Sequence, residues 1–375
     1  MKRTALGLAI PLLVGMLALP SNAAPTAAAP ADTHVRRPAV SPVVARALGK
    51  AGEMRGMALN DGLPGRALVA SVADFPRMAA EGITSVSVYV YLYVPNAAGT
   101  VISTGPLTPS DTELQAVAQA AHQNGMGVTL SPVLLDTAQN TWRGYYQPSN
   151  LGDFFTNYTA QLIKYATLAQ QLGVSLFYVG SENDAISGQT AYWRSDIAQV
   201  RKRYSGAISY LATPYHANVV KFWDALDLAS ISVYFSMGGD ANPSYDRFMA
   251  AWREAHTPYV RKLAKSLPKP LVYAEAGYSS AQHSFAHPEA VPARTAVPAP
   301  AAQADGYAAL LDALHDNPAV YGVTWWRWQV GSTVADNGYS PNGKPAECVL
   351  AAHWSQDANV RSLAAAPVCD LHAIG

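Results

Sequence analysis

Two glutamates each stand directly after a short apolar run. Leu176-Phe177-Tyr178-Val179-Gly180 leads into Ser181-Glu182-Asn183-Asp184, and Leu271-Val272-Tyr273-Ala274 leads into Glu275-Ala276-Gly277-Tyr278. An acid at the end of a buried strand is costly unless it is hydrogen-bonded or used. A lone glutamate of this kind can close an ion pair or cap the next helix. Two of them at the mouth of one barrel suit a different task, the cleavage of a glycosidic bond. One carboxyl gives its proton to the leaving oxygen while the other attacks the anomeric carbon. In a retaining reaction the two groups stand about 5–5.5 Å apart, with no room for an interposed water. Glu182 and Glu275 are the candidate catalytic pair, one as general acid/base and the other as nucleophile.

Other side chains near these strand ends are suited to hold a sugar. The run Gly322-Val323-Thr324-Trp325-Trp326-Arg327-Trp328 brings indoles to another strand end, where Trp faces match the C–H face of a pyranose. By strand parity Trp326 and Trp328 point one way and Trp325 and Arg327 the other. Tyr234 is placed to hydrogen-bond the nucleophile, and a buried structural tyrosine is an equal alternative. Ser181, Asn183 and Tyr278, beside the two glutamates, complete this group. His283 and His287 have i, i+4 spacing but lie in a Pro-rich stretch, so no metal and no other cofactor is expected. No G-x-S-x-G elbow, P-loop or G-x-G-x-x-G turn occurs.

The elements that would position these residues alternate. β-branched and aromatic runs fall near 55–59, 84–91, 127–134, 174–180, 207–212, 228–234, 271–275 and 321–326. Helical stretches are read at 111–124, 154–172, 191–204, 245–266 and 304–316. Pro109-Ser110 precedes the first of these, and Gly125 and Gly173 follow two of them. Eight strands alternating with helices predict an α/β fold, a (β/α)8 TIM barrel, whose strand C-termini converge on one site. An Ala/Pro-rich insertion, 281–302, follows the seventh strand, either as a flap over the cleft or as a tolerated surface loop.

Lys2 and Arg3, the apolar residues 5–20 and Ser21-Asn22-Ala23 have the form of a cleaved export signal, residues 1–23. A secreted or periplasmic protein with no membrane attachment after cleavage is expected. Residues 24–45 read as a disordered Ala/Pro-rich leader, 46–355 as the barrel and 356–375 as a tail. The only cysteines, Cys348 and Cys369, would staple that tail in an oxidising compartment, contributing about 3 kcal/mol. With 26 basic and 26 acidic residues and no basic runs, nucleic acid is not an expected partner. The 8 Trp and 20 Tyr fit a carbohydrate partner as well as a large core. Nothing in the sequence demands more than a monomer.

Several segments resemble Glycoside Hydrolase Family 113, a TIM-barrel group in the large clan whose acid/base and nucleophile are glutamates after strands 4 and 7. They include Leu107-Thr108-Pro109, Trp142-Arg143-Gly144, Tyr165-Ala166-Thr167-Leu168-Ala169 and Phe222-Trp223-Asp224-Ala225-Leu226. Glu275-Ala276-Gly277-Tyr278-Ser279-Ser280 and Ser340-Pro341-Asn342-Gly343-Lys344-Pro345-Ala346-Glu347 continue the match in order. The resemblance implies Glu182 as acid/base, Glu275 as nucleophile, Trp142 and Arg143 near the substrate, and β-1,4-mannan or its oligosaccharides as substrate. Three positions depart from the clan pattern: Ser181 replaces Asn, Ser131-Pro132-Val133 replaces Lys-Pro-His, and Ser232-Val233-Tyr234 replaces Asp-x-Tyr. All three bear on the sugar, and the polar groups lost at Ser181, Val133 and Ser232 motivate one alternative, a barrel that binds polysaccharide without cleaving it; a separate alternative is a barrel enzyme of different chemistry, such as a transglycosylase acting on envelope glycans.

Overall fold

The computed structural model describes residues 37–59, 65–136 and 141–357. The expected signal segment, the leader up to residue 36 and Cys369 lie outside the described residues. Cys348 carries no free thiol.

The strands are β1 (Met54–Ala58), β2 (Ser85–Val94), β3 (Gly127–Asp136), β4 (Leu176–Ser181), β5 (Ala207–Ala212), β6 (Ala229–Ser232), β7 (Leu271–Ala276) and β8 (Val320–Trp325). They close into a barrel in chain order. Every neighbouring pair is parallel, and Met54 of β1 faces Gly322 of β8. With helices between the strands this is a (β/α)8 barrel. β2 and β3 pair over their whole length, from Ser85 opposite Gly127 to Val94 opposite Asp136.

The helices form where start signals coincide with an apolar face. Ser110 opens α4 (Asp111–Gln123) with a capping box, accepting from the Glu113 N–H while the Glu113 side chain accepts from the Ser110 N–H. Such a cap stabilises a helix by about 1 kcal/mol. The Asn150 side chain accepts from the Asp153 N–H to start α5 (Leu151–Gln171). That helix buries Phe154, Tyr158, Leu162 and Tyr165 at i, i+4, i+8 and i+11 against the barrel. Between β5 and β8 the helical segments include α7 (Tyr245–Ala251) and α8 (Thr257–Ser266), joined by a π-turn over Trp252–His256.

The leader boundary expected at residue 45 is corrected. Helix α1 (Pro42–Leu48) begins inside it, with Pro42 in its first turn and the Ser41 hydroxyl accepting from the Val44 N–H. A Ser-Pro start outweighs the Ala/Pro composition because proline costs nothing at the first helical position. Val44, Ala47 and Leu48 close the N-terminal end of the barrel against Met54, Leu176, Tyr178 and Val272. Likewise α9 (Pro300–His315) starts on its proline, earlier than the expected residue 304.

Candidate active site

The barrel mouth holds a cleft of about 870 Å³ into which β4, β6, β7 and the segments beyond them project. Glu182 and Glu275 both line it, although each is buried, with 6% and 7% of its surface exposed.

Local irregularities aim both carboxylates. In β7, Val272 and Ala274 pack into the lower barrel, so alternation alone would turn Glu275 outward. The register of β7 against β8 shifts between Tyr273 and Ala276, and the register against β6 shifts opposite Glu275. Such bulges re-aim side chains at barrel rims. Glu182 follows a register shift in β4 and takes a left-handed backbone, φ 49°. For a residue with a Cβ this costs about 1 kcal/mol, and its N–H is fixed on the Leu211 carbonyl at 2.7 Å. Gly277 is required beside Glu275, because a Cβ there would stand 2.5 Å from the Trp326 carbonyl.

The two carboxylates have different surroundings. Glu275 accepts from the Tyr234 hydroxyl at 2.7 Å and from the Tyr89 hydroxyl at 3.0 Å. Burial, reinforced by the charge of Glu182, pushes its pKa up to about 7, opposed by Arg143 and the two tyrosines. Those hydroxyls titrate well above their usual range, again chiefly through burial, so they remain donors throughout. Glu182 accepts from Arg143 Nη2 at 2.6 Å on one oxygen and from Ser232 Oγ at 2.6 Å on the other. Arg143 also donates from Nε to the Ser181 carbonyl at 3.0 Å. Glu182 therefore sits in a charged clamp, and Glu275 in a neutral one.

Of the side chains singled out from the sequence, Trp142, Arg143, Tyr234 and Trp326 line the cleft with the two glutamates. Trp326 meets Tyr89 edge-on, with ring centroids 5.1 Å apart. Four are placed elsewhere. Trp328 is buried, donating to Asp74 at 2.7 Å beneath the Arg77 guanidinium. The expected parity with Trp326 does not apply because β8 ends at Trp325 and both indoles lie beyond it. Tyr278 is buried against Phe248 and Phe285. Ser181 and Asn183 are buried beneath the rim, where Asn183 Oδ1 accepts from the Ser181 N–H.

Sequence reasoning missed Tyr89, although β2 carries a readable signal. Val86, Val88, Val90 and Leu92 alternate with Ser85, Ser87, Tyr89 and Tyr91, so the second set occupies the face opposite the aliphatic one. Also missed were Tyr145, Thr213 and Tyr215 on loops lining the cleft, where no periodicity marks them. The insertion after β7 contributes Ala286, His287, Glu289 and Val291 to the cleft wall. It is held by the Tyr339 hydroxyl, donating to the Pro288 and Ala290 carbonyls at 2.6 and 2.8 Å. Among the described residues, no group of three His, Cys, Asp or Glu side chains could hold a metal ion, and no helix is long and apolar enough to cross a membrane.

The profile of Glycoside Hydrolase Family 113 matches residues 68–344. Among solved structures, the chain is similar to the family 113 β-mannanase of Alicyclobacillus acidocaldarius, determined with ManMIm. The two are 28% identical, with 83% of this chain and 99% of that one covered and a TM-score of 0.73. A family 113 β-1,4-mannanase complex is 24% identical, with 81% and 99% covered and a TM-score of 0.70. The endoglucanase Cel5A of Pseudomonas stutzeri shares the fold at 14% identity, with 82% and 96% covered and a TM-score of 0.53. No curated protein sequence matches the chain.

Proposed function

The chain belongs to Glycoside Hydrolase Family 113, and from that premise we propose that it is a retaining β-glycosidase with Glu275 as nucleophile and Glu182 as acid/base. The observation that carries this reading is the unequal environment of two buried carboxylates in one cleft. A nucleophile should be held by neutral donors that steady its charge without locking it in an ion pair, and Glu275 has Tyr234 and Tyr89. An acid/base must gain and lose a proton within one turnover. The Ser232 hydroxyl beside Glu182 can donate to a carboxylate or accept from a carboxylic acid.

In the first step a Glu275 oxygen bonds to the anomeric carbon as the bond to the leaving oxygen breaks, and Glu182 passes its proton to that oxygen. In the second, Glu182 takes a proton from water, the water oxygen bonds to the same carbon, and Glu275 is released as a carboxylate. Trp326, partly exposed above Tyr89, supplies the ring on which the reacting sugar stacks. β-1,4-Mannan and its oligosaccharides are the proposed substrates, supported by the likeness to the A. acidocaldarius β-mannanase. The N-terminal 23 residues are proposed to direct export, which the N-terminal sequence of the mature protein would test.

The test is reducing-sugar release from β-1,4-mannan, glucomannan, cellulose and xylan by wild type, Glu275→Ala and Glu182→Ala. Wild type should release sugar, and Glu275→Ala should not. Azide should restore turnover of an activated aryl glycoside to Glu182→Ala by attacking the glycosyl-enzyme in place of activated water. Unchanged activity in Glu275→Ala would overturn the assignment.

A further inference from the structure

The helical segment between β6 and β7 is interrupted in one place. α7 and α8 would run as one helix but for the π-turn over Trp252–His256. A π-turn inserts an extra residue into a helix, and such insertions recur at functional sites. Here Phe248, Trp252 and Val260 all stay buried across the insertion, and His256 is brought against the chain that leaves β6. His256 does not itself line the cleft.

That chain carries a donor to Glu275. β6 ends at Ser232, and beyond it the Val233 N–H donates to the Glu275 carbonyl at 2.7 Å. The Met237 N–H donates to the Phe285 carbonyl at 2.8 Å. Between these ties lies Tyr234, whose hydroxyl reaches the Glu275 side chain at 2.7 Å.

His256 grips the same stretch from behind. Its ring lies flat on Phe235, with centroids 4.7 Å apart and planes 10° from parallel. Its Nε2 stands 3.0 Å from the Ser236 carbonyl. A carbonyl only accepts, so Nε2 carries the hydrogen. Trp252 and Tyr259 meet Phe235 edge-on, at 5.9 and 6.0 Å, and complete the enclosure of that ring. Burial lowers the His256 pKa, opposed by the Ser236 carbonyl, so the ring is chiefly uncharged at pH 7 and above. Phe235 and Ser236 directly follow Tyr234, and fixing both fixes the direction from which Tyr234 reaches the carboxylate. Direction matters because a hydrogen bond weakens steeply as it bends.

We propose that His256 is a positioning residue for the nucleophile: by holding Phe235 and the Ser236 carbonyl, it aims the Tyr234 hydroxyl at Glu275. This rests on the assignment of Glu275 as nucleophile made above. It adds that a residue of the outer helical layer, away from the cleft, sets the pH at which Glu275 becomes reactive.

The full-length enzyme tests this with 2-deoxy-2-fluoro-β-mannosyl and β-glucosyl fluoride, which halt at the glycosyl-enzyme. Trapping is followed by intact mass from pH 6.5 to 10, and the labelled residue is located by peptide mapping. The charged and titratable groups facing Glu275, which are Glu182, Arg143, Tyr234 and Tyr89, are retained in every variant at position 256. In His256→Ala the acid limb should move up by about half to one pH unit. Trapping at pH 6.5 should then slow by roughly two- to eightfold and converge with wild type at high pH. His256→Phe keeps the stacked ring and loses the hydrogen bond. It should move the limb the same way by less, and it carries the test if the alanine form does not fold. In a Tyr234→Phe background no hydroxyl remains to be aimed, so His256→Ala should move the limb no further. A limb unmoved in both variants, or slowing equal at every pH, would overturn the positioning role and leave the glycosidase reading standing. An undiminished displacement in the Tyr234→Phe background would do the same. A wild type that forms no adduct on Glu275 with either fluoride would overturn the reading beneath it.

Discussion

Replacing Tyr234 with Phe removes one hydroxyl from Glu275 and leaves the ring. That hydroxyl donates at 2.7 Å to a carboxylate with two close donors, the other being Tyr89 at 3.0 Å. A hydrogen bond to a charged group contributes about 1.5–3 kcal/mol, and one pK unit corresponds to about 1.4 kcal/mol. Losing the bond to the ionised form should therefore raise the Glu275 titration by about one to two units from its starting point of about 7. The sign follows from the proposed role: a nucleophilic Glu275 attacks only as a carboxylate, so a raised pKa moves the acid limb to higher pH. A 2-fluoroglycosyl fluoride isolates this step, because fluoride departs with little help from an acid and the trapped glycosyl-enzyme is read by intact mass. Its trapping rate, followed from pH 5 to 10, should show the limb displaced upward in Tyr234→Phe. At pH 6 trapping should be slower by roughly ten- to a hundredfold, and the two enzymes should converge at high pH. A limb that stays in place, or moves to lower pH, would refute the claim that Tyr234 steadies the anion.

Further expectations concern stability. With its folded pKa raised from 4.5 to about 7, Glu275 carries a penalty absent below pH 4.5 that grows until the pH passes 7. Glu275→Gln should therefore melt higher than wild type at pH 8, by on the order of 3 kcal/mol at most, and alike at pH 4, as calorimetry would show. A melting difference independent of pH would contradict this. Asp196, buried between α5 and α6 (Thr190–Arg201) and bonded to the Thr159 hydroxyl, is pushed by burial to about 7. Its penalty likewise grows from pH 4 to 7, so Asp196→Asn should flatten the fall of melting temperature across that range, without the change in trapping kinetics expected of cleft variants.

The sequence made the eight strands legible because each buried strand is a short β-branched or aromatic run between turn signals, and β1 through β8 form where those runs lie. It also marked Glu182 and Glu275, since an acid ending such a run stands out. It was weaker wherever side-chain direction departed from simple alternation. The shift in β7 that turns Glu275 into the cleft leaves no mark in composition, and the end of β8 at Trp325 separated Trp326 from Trp328. Ser181, Asn183 and Tyr278 adjoin the glutamates in sequence, but alternation and the following turns bury them beneath the rim. Conversely, Arg143 and Tyr89 reach the glutamates from elements distant in the chain, and only closure of the barrel brings them together.

The serine at position 232 follows from the same charge balance. Glu182 and Glu275 already place two buried carboxylates at one cleft, and Asp184, two residues beyond Glu182, is a further buried carboxyl whose pKa is raised by burial despite the hydrogen bond from Thr213. The clan pattern would put aspartate at position 232, where Ser232 Oγ now lies 2.6 Å from Glu182. An aspartate in that place would bring another anion against Glu182, the proposed acid/base, with Arg143 the one cation hydrogen-bonded there among the described residues. It could share a hydrogen with Glu182 only if one of the two stayed protonated. A serine hydroxyl has no such restriction. It donates when Glu182 is a carboxylate and accepts when Glu182 carries its proton, at the same separation. Arg143, which can only donate, holds the other oxygen in both states. In the proposed double displacement neither contact has to break as Glu182 gains or loses its proton, and the departure at residue 232 is compatible with turnover as well as with a change of sugar.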